Sequence, residues 1–86
     1  MIIQEFRERI VAADRELLAA MNKRITVVQE LHEYKRAEGI PLRDPVREEQ
    51  LVVELQAANP GPLSPEGVAA LFRHVLDLTR KEIHGV

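Results

Sequence analysis

Between Ile2 and Glu38 the chain contains neither glycine nor proline, and this uninterrupted stretch limits the fold more than any other feature. Its apolar residues recur at Ile3, Phe6, Ile10, Ala13, Leu17, Met21, Ile25, Val28 and Leu31. Steps of three and four place such residues on one side of an α-helix. Gly39 is a residue that readily ends a helix, and Pro41 prevents continuation. The spacing predicts one helix over about 2–38, roughly 35 residues and about 52 Å long at 1.5 Å per residue.

Asp44 followed by Pro45 reads as an N-cap and first helical residue, opening a second helix over about 45–58. Its inner stripe is Leu51, Val52, Leu55 and Ala58. The NPGP run at 59–62 is a firm break. Ser64 and Pro65 repeat the cap-plus-proline device and start a third helix over about 65–84, with Val68, Leu71, Phe72, Val75, Leu76, Thr79 and Ile83 inward. No strand-like alternation, internal repeat or low-complexity tract interrupts this pattern. The expected fold is all-α, one domain over residues 1–86 with one long, one short and one medium helix. The two shorter helices cannot cover the whole stripe of the first, and 86 residues lie near the lower limit for an independent core. The expected assembly is therefore an intertwined homodimeric helical bundle, with the long helices packed across the two-fold axis.

Without cysteine, disulfides and thiolate metal sites are excluded. A net charge of −2, with one tyrosine, two phenylalanines and no tryptophan, argues against nucleic acid as a partner. The start, MIIQEFRERIVAADRE, mixes acids and arginines into its first turns and does not read as a secretory signal. No apolar run is long enough to span a membrane, so the expected location is cytoplasmic. His32, His74 and His84 show no metal-ligand spacing, and there is no glycine-rich phosphate loop or nucleophile elbow. No metal or cofactor is expected.

The informative residues are charges on apolar stripes. Arg24, Val28, Leu31 and Lys35 share one face of the first helix, with the two cations about 16 Å apart along its axis. Glu48 precedes Leu51 and Val52 by three and four residues and so faces inward, with Asp44 and Arg47 one turn earlier. Thr79 places a hydroxyl on the inner stripe of the third helix. Taken singly, each has an ordinary explanation: a snorkelling cation, an ion pair, a cap, a hydroxyl bonded one turn back. Together they describe a pocket for a small anion, because burying charges costs several kcal/mol and a small domain has little stability to offset that. A purely structural oligomerisation module would use the long stripe equally well.

The order of these residues resembles the all-helical chorismate mutase family. Arg7 in FRERI, Arg24 in MNKRI, Lys35 in HEYK, and Asp44, Arg47 and Glu48 in RDPVRE carry the resemblance, which extends over essentially the whole chain to Leu71–Phe72. It implies isomerisation of chorismate to prephenate, a pericyclic shift that needs no proton transfer, nucleophile or metal, only positioning and fixed electrostatics. By resemblance, Arg24 clamps one carboxylate and Arg7 reaches the other from the partner subunit. Lys35 donates to the ether oxygen and a carboxylate. Glu48, with the backbone near Asp44, takes the ring hydroxyl, and Arg47 adds positive field at the entrance, where Arg43 is expected to be solvated. Thr79 stands where the family carries a small hydroxyl residue. The sequence departs from the family at Ile83, where a Gln or Glu usually supplies a second donor to the ether oxygen; Glu82 is adjacent but about 100° around the helix. His32 also stands where a small residue is common. Two alternatives stay open: an isochorismate-pyruvate lyase on the same scaffold, and a mutase-like domain docked as a structural or regulatory partner on another shikimate-pathway enzyme.

Overall fold

The computed structural model describes residues 1–83 and contains, among them, three α-helices and no strand: α1 (Ile2–Glu38), α2 (Pro45–Ala58) and α3 (Pro65–Glu82). The fold is all-α, as the periodicity requires. The helix ends are set by local chemistry. Gly39 adopts φ 69°, and the Ile40 N–H donates to the Lys35 carbonyl at 2.8 Å, closing α1 with a left-handed turn that a side chain would strain. Asp44 accepts a hydrogen bond from the Arg47 N–H at 3.0 Å, and Ser64 one from the Gly67 N–H at 3.0 Å, so each cap satisfies a donor left open in the first turn. The Asn59 side chain organises the intervening turn, accepting from the Gly61 N–H at 3.1 Å and donating to the Leu63 carbonyl at 2.7 Å.

α3 stops at Glu82. Ile83 leaves the helical conformation while its N–H still bonds the Thr79 carbonyl at 3.0 Å. The expected continuation to His84 lies outside the described residues.

α2 and α3 pack together around Val52, Val68 and Ala69, and α3 leans on the second half of α1. The first half of α1 stands clear of both. Phe6, Ile10 and Leu17 of its stripe are 51%, 61% and 60% exposed. The molecule measures 57 × 23 × 17 Å. Its accessible surface of 6841 Å² is about 1,700 Å² above that of a compact monomer of its 9.8 kDa mass. The apolar pattern of α1 is therefore present in the helix but not covered within one chain. No helix among the described residues is long and apolar enough to cross a membrane.

Candidate active site

The three helices bring charge together at one place, a cleft between the middle of α1, the start of α2 and the end of α3. Arg24, Val28 and His32 form its α1 wall; Leu42, Arg43 and Glu48 come from the α1–α2 connection and α2; Leu76, Thr79 and Arg80 come from α3. Arg24 donates to the Thr79 hydroxyl oxygen at 2.9 Å, and that hydroxyl in turn donates to the Val75 carbonyl at 2.6 Å. The back-bond to the preceding turn thus fixes the orientation in which Thr79 receives the guanidinium. Arg24 has no carboxylate within hydrogen-bonding distance among the described residues. Burial lowers the pKa of its guanidinium from the ordinary value, and the nearby Glu48 charge acts in the opposite sense.

Glu48 is the acid at the centre of this arrangement. Arg80 donates to its two carboxylate oxygens at 3.1 and 3.3 Å, and Arg43 approaches one of them at 3.5 Å. Three guanidiniums against one carboxylate leave the cleft lining with a net charge of +2. Lys35 lies at the adjoining end, where its ammonium donates to the Leu42 carbonyl at 3.3 Å. The cleft volume is about 70 Å³, below the roughly 300–1,000 Å³ of ordinary ligand pockets.

The remaining expected site residues are distributed differently. Asp44 caps α2. Arg47 is turned along the outside of α2, where it pairs with Glu54 at 2.9 Å, both side chains being more than half exposed. Arg7 lies on the uncovered half of α1, in a shallow groove with Gln4, Glu8, Val11 and Arg15, about 26 Å along the axis from Arg24. Ile83 is buried and offers no side-chain donor. Glu82 borders a separate groove with Gln29, Glu33 and Arg36, on the other side of His32.

Two differences from the sequence reading have geometric causes. Leu31, placed on the inner stripe, is 45% exposed, and His32 is buried instead. Residues 24, 28 and 32 repeat at intervals of four, so the row facing the cleft drifts one position from the three-and-four stripe. Arg80 is a cleft residue that the sequence reading missed. Its signal was present: it follows the inward Leu76 by four residues. The Nδ1 atom of His32 is buried without a hydrogen-bond partner among the described residues, and burial followed by the Arg36 and Lys35 charges lowers its pKa.

Comparison with known proteins agrees with this geometry. Residues 6–83 match the family Chorismate mutase type II. The fold is similar to chorismate mutase from Thermus thermophilus in two crystal forms. Form I is 33% identical, with a TM-score of 0.88, and the match covers 92% of this chain and 99% of that one. Form II is 32% identical, with a TM-score of 0.88, and the match covers 94% and 92% respectively. Among curated proteins, none matches significantly.

Proposed function

Because the chain belongs to the type II chorismate mutase family, we propose that it isomerises chorismate to prephenate in a cleft completed across a homodimer. The observation that carries this reading is the state of Arg24. A half-buried guanidinium is held by a neutral hydroxyl rather than by a carboxylate, in a cleft whose lining is +2. Such a site is preorganised for a dianion and requires no reorganisation when one arrives.

In the reaction, the ether C–O bond breaks as a C–C bond forms, with electrons moving around a six-membered ring and no proton lost or gained. The enzyme's tasks are to hold the flexible dicarboxylate in its reactive shape and to stabilise the negative charge growing on the ether oxygen. Arg24 takes one substrate carboxylate while retaining Thr79. Lys35 exchanges the Leu42 carbonyl for the ether oxygen and a carboxylate. Glu48, with the backbone around Asp44, accepts the ring hydroxyl, and Arg47 contributes field at the entrance. Arg7 reaches the second carboxylate from the partner subunit.

Two measurements on the single chain support the dimer. The cleft is too small for a ligand pocket on its own, and the surface excess of about 1,700 Å² per chain corresponds to an interface of obligate-dimer size. Acting in the cytoplasm, such an enzyme serves phenylalanine and tyrosine synthesis.

The test is loss of chorismate absorbance with purified protein, the product being identified as prephenate by acid conversion to phenylpyruvate. Turnover far above the spontaneous rate is expected. An inactive, folded dimer overturns the reading, and pyruvate release from isochorismate would then identify a lyase.

A further inference from the structure

Arg80 has no role in the reading above, yet it lines the cleft beside Arg24, Thr79 and Glu48. We propose that Arg80 is a substrate-contacting residue that donates a hydrogen bond to the ether oxygen as its negative charge develops, which rests on the mutase reading of this cleft.

The need for such a donor follows from the chemistry. A breaking C–O bond leaves charge on an oxygen with more than one lone pair, and each preorganised donor aimed at it lowers the barrier. Lys35 can serve from the α1 side. On the α3 side, the groups closest in sequence to Thr79 are unsuited. The Ile83 side chain is aliphatic and buried, and its N–H is committed to the Thr79 carbonyl. Glu82 is exposed and borders the separate groove. As a carboxylate it accepts hydrogen bonds and donates none.

Arg80 has the missing property in a permanent form. A guanidinium carries five N–H donors in a fixed fork and remains charged at any pH at which the fold survives. Only Nη1 is engaged, by the two Glu48 oxygens. Nη2 lies 3.9 Å from Asp77, too far for a hydrogen bond, and Lys81 holds that carboxylate at 2.9 Å. Among the described residues, Arg80 therefore retains uncommitted donors while Glu48 anchors its head at the cleft. Its side chain is 25% exposed, which leaves it accessible to a ligand yet partly desolvated. One residue thereby keeps Glu48 in place through one nitrogen and presents another to the substrate. No proton is transferred in this role.

The competing explanation is that Arg80 acts only by holding Glu48. A double-mutant cycle separates the two. Arg80→Met, Glu48→Gln and the double variant are compared with wild type for kcat and KM on chorismate, each first checked for helicity and dimerisation. Arg80→Met is expected to lose roughly 10²–10³-fold, mainly in kcat, as for removal of an oxyanion donor. The loss in the double variant is expected to approach the product of the single losses. Arg80→Lys, which keeps charge and reach, is expected to recover a substantial part of the lost rate. If the double variant is no slower than Glu48→Gln alone, or if Arg80→Met turns over within threefold of wild type, the assignment fails while the mutase reading stands. Wild-type protein that leaves chorismate unchanged overturns both. Should Arg80→Met not fold, Arg80→Gln and Arg80→Lys carry the same comparison, with equal rates for these two overturning the need for a cation.

Discussion

Arg24 and Thr79 are 55 residues apart in sequence and share a 2.9 Å hydrogen bond across the α1–α3 contact. Thr79 commits its proton to the Val75 carbonyl, so it can only accept from Arg24. This fixes a cation at the bottom of the cleft without neutralising it. A carboxylate in place of Thr79 would hold the guanidinium more firmly but would compete with an anionic substrate.

Replacing Thr79 by Val keeps the shape and removes the acceptor. Arg24 then loses its anchor, and kcat/KM is expected to fall about tenfold, the loss of roughly one ordinary hydrogen bond of about 1.4 kcal/mol. Thr79→Ser, which retains the hydroxyl, should remain close to wild type. Steady-state kinetics on both variants, with thermal melts as a folding control, check this; equal activity of Val and Ser variants refutes it.

Lys35→Ala removes the ammonium that here rests on the Leu42 carbonyl. A decrease in kcat of about 10²–10³-fold is expected for a donor to developing oxyanion charge. Turnover near wild type would withdraw Lys35 from the site.

The placement of Arg7 can be tested by complementation. Arg7→Ala and Arg24→Ala homodimers are each expected to be nearly inactive. If each site takes Arg24 from one chain and Arg7 from the other, a mixed dimer has one site carrying both substitutions and one intact. Random exchange of subunits should then restore about a quarter of wild-type activity. No recovery after demonstrated exchange would mean that both arginines act from one chain.

His32 predicts how stability responds to acid. Its folded pKa is lowered by burial and by Arg36 and Lys35, so the unfolded chain binds a proton first as pH falls. Its contribution is complete above the ordinary value of 6.5 and is lost progressively from there down to the folded pKa. The melting temperature should therefore be lower at pH 5.5 than at pH 7.5. His32→Leu, which also removes the unpartnered Nδ1, should flatten that difference at little cost in stability at neutral pH. An unchanged slope in the variant would assign the pH response to other groups.

Helix formation was legible residue by residue because its determinants are local. The absence of Gly and Pro before Gly39, the Asp44–Pro45 and Ser64–Pro65 starts and the NPGP break each act within one or two turns, and α1, α2 and α3 follow them. The inward placement of Arg24, Glu48 and Thr79 followed from helical spacing alone, and so did the uncovered stripe of α1. Tertiary packing decided the partners. Whether Arg24 meets an acid or a hydroxyl, whether Arg47 turns toward the cleft or toward Glu54, and whether Arg80 reaches Glu48 depend on how three separate helices meet. Long side chains can swing several ångströms from the same backbone position, so helical spacing gives the face on which a charge emerges. The group it finds there is set by elements distant in sequence.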